Sequence, residues 1–100
     1  MVQDLSYLDY LAGLVAGDGN ITWNRHRIRI YDRCKRFLED ICEICKSKLG
    51  VRNCTIYWDK GAWCLSIYDK ELVKILSEKI RKPDNYIEWL KGFVDAEGSV

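Results

Sequence analysis

Apolar positions along this chain change period several times, and each change marks the edge of an element. Ser6 opens a first helix as its cap, with Asp9 three residues on as a short capping-box partner, and the helix runs to about Gly17. Asn20-Ile21-Thr22-Trp23-Asn24 then alternates polar with apolar, the period of a half-buried strand, and Arg27-Ile28-Arg29-Ile30-Tyr31 repeats it. A turn at Arg25-His26 would set Trp23 against Ile28 and Ile21 against Ile30 on the core side. Asn20, Thr22, Asn24, Arg27, Arg29 and Tyr31 would share the other face.

Asp32 can cap a second helix, in which Leu38, Ile41, Cys42, Cys45 and Leu49 form an apolar stripe that stops at Gly50. A second hairpin follows. Cys54, Ile56 and Trp58 face the core opposite Trp63, Leu65 and Ile67 across a Lys60-Gly61 turn, leaving Thr55, Tyr57, Ser66 and Tyr68 outside. Asp69 caps a third helix with Leu72, Val73, Ile75, Leu76 and Ile80 apolar, Pro83 ends it, and Asp84 or Asn85 starts a fourth. The expected architecture is α+β, with helices on one face of a four-stranded antiparallel sheet.

The first and fourth helices carry the same word. Leu11-Ala12-Gly13-Leu14-Val15-Ala16-Gly17-Asp18-Gly19 returns seventy-nine positions later as Leu90-Lys91-Gly92-Phe93-Val94-Asp95-Ala96-Glu97-Gly98. At four-residue spacing, Ala12 with Ala16, Gly13 with Gly17, and Gly92 with Ala96 lie along helix faces that are almost bare backbone. A glycine inside a helix costs about 1 kcal/mol relative to alanine, so these positions point to close helix packing, with Ala12, Gly13, Ala16, Gly92 and Ala96 at the contact. Asp18 and Glu97 then sit at helix C-termini, each before a glycine of the kind that ends helices in a left-handed conformation. A carboxylate is misplaced at the negative end of a helix dipole, and two such ends side by side repel. A divalent cation relieves both, and carboxylates with free helix-end carbonyls, here those of Gly17 and Ala96, suit Mg²⁺.

With these residues in view, the chain resembles the LAGLIDADG homing endonucleases, specifically the two-motif, single-chain type found in introns of archaeal ribosomal RNA genes. The resemblance implies a half-repeat, αββαββα, over residues 1–83 and the motif helix of a second repeat over 84–100. It implies site-specific hydrolysis of double-stranded DNA, with Asp18 and Glu97 as catalytic metal ligands. The family also places a polar or basic pair at the end of the second strand. The matching positions are Asp32 and Arg33, of which Arg33 takes the phosphate-neutralising role and Asp32 that of helix cap. The alternative within the resemblance is a non-cleaving relative, either an intron RNA maturase or a DNA-binding regulator.

Charge distribution supports a nucleic-acid partner where the total does not. The chain carries +1 overall. Between residues 25 and 36, however, Arg25, Arg27, Arg29, Arg33, Lys35 and Arg36 stand against Asp32 alone, a local +5 that leaves −4 elsewhere. Alternation puts Arg27 and Arg29 on the exposed sheet face, where a β-ribbon enters a major groove and arginine reaches guanine bidentately. The expected DNA-contacting set is Asn20, Thr22, Asn24, Arg25, Arg27, Arg29, Tyr31, Arg33, Lys35, Thr55, Tyr57, Ser66 and Tyr68.

Composition adds three bounds. One hundred residues with 48% hydrophobic content make one small domain. Five cysteines, an odd number, argue for a reducing, cytoplasmic setting, and Cys42-Glu-Ile-Cys45 lacks a second pair at zinc spacing, so those thiols read as core. No apolar run approaches the ~18 residues of a membrane span. Because Val100 falls three residues after Glu97, the expectation is a fragment whose second half comes from a missing C-terminal segment or a second chain.

Overall fold

Residues 5–97 are described in the computed structural model. They form α1 (Leu5–Asp18), β1 (Gly19–Thr22), a 3-10 turn (Trp23–Arg25), β2 (Arg27–Asp32), α2 (Lys35–Lys48), β3 (Asn53–Asp59), β4 (Ala62–Tyr68), α3 (Lys70–Arg81) and α4 (Tyr86–Glu97). The strands make one antiparallel sheet in the order β1-β2-β4-β3, so β2 and β4 are central. Their inward residues Ile28, Ile30, Leu65 and Ile67 are buried against Leu8, Leu11, Leu14 and Val15 of α1. Leu38, Ile41 and Cys45 of α2 and Leu72, Val73 and Leu76 of α3 close the same core. Full burial of each aliphatic side chain is worth about 1.5–3 kcal/mol, and burial pushes the Cys45 thiol up to about 12. This is the α+β arrangement the alternation implies, an antiparallel four-stranded sheet with helices on one face, and a further helix follows it.

The first hairpin closes differently from the expected turn. Trp23 leaves the strand for the 3-10 turn, and His26 takes a left-handed conformation with its N–H donating to Trp23 O at 3.1 Å. Ile21 consequently pairs with Ile28, and Gly19 with Ile30. The inward parity survives, but Trp23 is exposed and Asn24 sits in the loop rather than on the sheet face.

Helix starts also depart from the local reading. Ser6 lies inside α1 rather than capping it, and Asp9 is buried. Helix α2 begins after Cys34, and Asp32 accepts the Cys34 N–H at 2.8 Å in a turn ahead of the helix rather than capping it. Asp69 does cap α3, accepting from Leu72 N at 2.9 Å, and Asn85 receives the Glu88 N–H at 3.2 Å before α4. Trp58 has core parity but lies past the end of the core, exposed, with its ring edge-on to Trp63.

Helices α1 and α4 touch through their glycines, reciprocally. A Cβ on Gly13 would collide with Trp89 O and the Phe93 N; one on Gly92 would collide with Tyr10 O and the Leu14 N. Trp89 and Phe93 are the seventy-nine-residue counterparts of Tyr10 and Leu14, so the contact has the self-complementary form of a two-fold interface inside one chain. A Cβ on Gly17 would lie 2.8 Å from that of Ala96. The helices run in the same direction, and both acid-bearing ends arrive at one end of the molecule. Ala12, by contrast, turns into the hydrophobic core, and Ala16 is half-buried.

Candidate metal and nucleic-acid site

Where α1 and α4 converge, Asp18, Tyr31, Asp32, Arg33, Ala62, Ala96 and Glu97 line a cavity of about 390 Å³. Three of these are carboxylates and one is a guanidinium. Asp18 and Glu97 are delivered by the last residues of α1 and α4, and their closest backbone neighbours, Gly17 and Ala96, are small enough to let the two ends meet. Asp18 is held above its ordinary carboxylate value by burial first, then by the charges of Asp32 and Glu97. Crowded negative charge in a polar cavity is the electrostatic condition a hard cation satisfies.

Asp32, read from the sequence as a helix cap, lines this cavity instead. Ile28, Ile30 and Asp32 share the inward side of β2, and Asp32 is buried. An acid at an inward strand position beside a cluster of basic residues was the available signal. One Asp32 oxygen accepts the Cys34 N–H, which fixes the carboxylate's direction.

Among the described residues, no group of three or more His, Cys, Asp or Glu side chains is arranged to hold a metal ion. Two carboxylates do fit Mg²⁺, which keeps several waters and is commonly bound by one or two carboxylates plus substrate phosphate. Ala96 also lines the cavity, and Gly17 lies behind it against the Ala96 methyl. Gly98 falls outside the described residues. Gly19 does not take a left-handed backbone; it is the first residue of β1, and a Cβ there would collide with Arg29 O.

From this cavity the outer face of the sheet extends in cross-strand rows. Thr22, Arg27, Tyr68 and Asn53 form one row; Asn20, Arg29, Ser66 and Thr55 the next; Tyr31, Cys64 and Tyr57 the third. The rows are tied laterally. Arg29 Nε donates to Asn20 Oδ1 at 3.2 Å, Tyr31 donates to Asp59 Oδ2 at 3.3 Å, and Tyr57 and Ser66 hydroxyls are 3.1 Å apart. The Arg27 side chain is hydrogen-bonded with Tyr68, while its Nε is shielded and without a partner. Such bonds hold long side chains in place before any ligand arrives, which lowers the ordering cost of binding.

The outer face does not present every expected contact. Ser66 is buried beneath its neighbours and serves Tyr57 rather than the surface. Asn24 and Arg25 project from the hairpin loop, and Lys35 stands over the Trp63 ring at 4.7 Å, on the helix side of the sheet. Asn20, Thr55, Tyr57 and Tyr68 are exposed, and Thr22, Arg27, Arg29 and Tyr31 are partly so.

No described helix is long and apolar enough to cross a membrane. The α+β arrangement of helices and antiparallel sheet agrees with a comparison against protein families, whereas a search of curated proteins returned no match. The family model described as a LAGLIDADG-like domain matches residues 6–81, from the first turn of α1 to the end of α3, and the chain therefore belongs to the LAGLIDADG-like domain family.

Proposed function

We propose that this chain supplies one half of a site-specific, metal-dependent DNA endonuclease, with duplex DNA on the outer sheet face and the scissile phosphate at the Asp18–Glu97 cavity. The observation that supports this most is the meeting of Asp18, Asp32, Arg33 and Glu97 in one cavity at the end of a sheet whose outer rows carry Arg27 and Arg29. Bound Mg²⁺ would lower the pKa of water and stabilise the leaving oxygen of a phosphodiester.

The chain's own residues do the rest. Asp18 and Glu97 hold the cation, with the Gly17 and Ala96 carbonyls available as further oxygen donors. Arg33, always protonated, neutralises the phosphate and is unsuited to carrying a proton. Asp32, oriented by the Cys34 N–H, is placed to hold a water beside the phosphate. Arg27 and Arg29 read base edges, while Asn20, Thr22, Thr55, Tyr57 and Tyr68 position the backbone.

A single four-stranded sheet spans one half-site. The face of α4 bearing Tyr86, Ile87, Leu90 and Val94 is exposed among the described residues, and a second sheet, from a further segment or another chain, would cover it and read the other half-site. A non-cleaving nucleic-acid binder is the second reading, since the outer rows that carry Arg27, Arg29 and Tyr68 would serve binding alone.

The test is Mg²⁺-dependent cleavage of a randomised duplex library by this chain, alone and completed by a supplied second repeat. The completed enzyme is expected to cut. Asp18→Asn and Glu97→Gln each abolish cutting while leaving DNA affinity in Ca²⁺ within a fewfold. Full cleavage by either variant would remove these acids from the site, and binding without cutting by the completed parent would leave the non-cleaving reading.

A further inference from the structure

Far from the cavity, at the opposite end of α1, lies a buried polar cluster that the proposed chemistry does not use. Asp9 is 1% exposed, yet its carboxylate takes three donors: Lys79 Nζ at 3.2 Å and the Asp84 N–H at 3.2 Å on Oδ1, and the Asn85 N–H at 3.0 Å on Oδ2. Lys79 is also buried, and its Nζ reaches Asp84 Oδ2 at 2.8 Å. The cluster therefore ties the end of α3 and the start of α4 to α1.

Buried ion pairs are a weak source of stability, because desolvation offsets most of the attraction; their best-attested use is to fix register. Register is in question here. Gly13 and Gly17 on α1, and Gly92 and Ala96 on α4, repeat small residues every four positions. Two such faces leave a second alignment open, since a slip of four residues, about 6 Å, again sets a small residue of one helix against a small residue of the other. The glycines fix how close the helices come but not where along the axis they meet. A carboxylate that must receive three donors from residues 79, 84 and 85 admits one alignment.

We propose that Asp9 is a positioning residue: by holding Lys79 and the N-terminal amides of α4, it sets the axial register of α4 on α1 and so brings Glu97 beside Asp18. This rests on the reading of Asp18 and Glu97 as a paired-acid site, and the experiment separates the two. Register is read directly by nuclear Overhauser contacts from Gly13 Hα to the Phe93 amide proton and from Gly92 Hα to the Leu14 amide proton. The site is read by Ca²⁺ titration calorimetry on the same samples.

The double variant Asp9→Leu/Lys79→Leu replaces the cluster with apolar volume and is expected to keep the fold, checked by its far-ultraviolet spectrum. It is expected to lose the two contacts in a measurable fraction of molecules and to bind Ca²⁺ at least tenfold more weakly. Asp9→Asn keeps one acceptor oxygen but sets its own NH2 against the remaining donor, and is expected to fall between the parent and the double variant in both readouts. Where the double variant does not fold, Lys79→Met is measured instead against the same two outcomes. Full retention of both contacts with unchanged Ca²⁺ affinity in the variant would overturn the proposal. Absence of Ca²⁺ binding in the parent would overturn the paired-acid reading alone, and the Overhauser contacts would still decide the register.

Discussion

Helices α1 and α4 carry one motif in two environments. Leu8, Leu11 and Val15 of α1 are 2%, 0% and 3% exposed, packed on the sheet. Their counterparts seventy-nine residues on, Ile87, Leu90 and Val94, are 68%, 41% and 54% exposed. The glycine faces of the two helices are equivalent, since each meets the other; the opposite faces are not. Asp9 is buried under three donors, whereas its counterpart Glu88 makes a surface pair with Lys91 at 3.1 Å. The motif thus encodes a helix with two apolar contacts to make, one to its twin and one to a sheet. In α4 the described residues satisfy only the first.

The sharpest way to break that comparison is to truncate the same position in each helix. Leu11→Ala should cost about 2–5 kcal/mol by urea denaturation, as core leucines do. Leu90→Ala should stay within about 0.5 kcal/mol, as at an exposed position. When a second sheet is supplied, the cost of Leu90→Ala should climb toward that of Leu11→Ala; if it stays flat, α4 has no such partner.

Equivalence of the glycine faces predicts equal penalties. Gly13→Ala and Gly92→Ala each press a methyl into the partner's backbone carbonyl, which cannot rotate away as a side chain would, and each should cost about 1–3 kcal/mol. Unequal losses would show that the contact is not two-fold.

On the outer sheet face, proposed to meet DNA, Arg27→Ala and Arg29→Ala should each weaken discrimination at one base pair by about 1–3 kcal/mol in salt-controlled gel shifts. A uniform loss across sequences would assign that arginine to phosphate instead.

The smallest effect concerns pH. Because Asp18 has its carboxyl pKa raised in the folded chain, the native state binds more of this proton than the unfolded state does at pH values between the ordinary and the raised pKa. Stability contributed by the protonated form is present at low pH and is lost as pH rises from the ordinary carboxylate value through the raised one. Asp18→Asn should flatten this decline, melting slightly above the parent at pH 7 and together with it near pH 3. Saturating Mg²⁺ should restore the parent's loss and leave the variant unmoved. A parent that melts higher at pH 7 than Asp18→Asn without metal would reverse the sign.

Much of this was legible because it is local. Alternation set the inward faces of all four strands, and four-residue spacing of glycine and alanine marked the helix pair. The failures share a cause as well. Ser6 and Asp9 have capping-box spacing, but Asp9 is claimed by residues more than seventy positions away, which no local pattern displays. Trp23 continues the alternation, yet the four-residue connection from Trp23 to His26 needs it for a 3-10 turn, moving the pairing by two residues. Ser66 has outward parity but short reach, so the longer Arg29 and Tyr57 side chains around it take the surface. Asp32 continues the inward parity of Ile28 and Ile30, a local signal that the helix-cap reading passed over.

No residue separates Asp18, the last of α1, from Gly19, the first of β1, and Gly19 is wedged against Arg29 O. An ordinary loop at this point would act as a joint, letting the acid settle on any nearby phosphate. Here the joint is absent. A tilt of the sheet on an ill-fitting sequence must swing Asp18 away with it, while Asn20 and Arg29, already bonded to each other, move as the same lever. Under the proposed function, such a molecule would discriminate between sequences in its rate of cutting more steeply than in its affinity, because misfit at the rows of side chains is carried rigidly to the reacting bond.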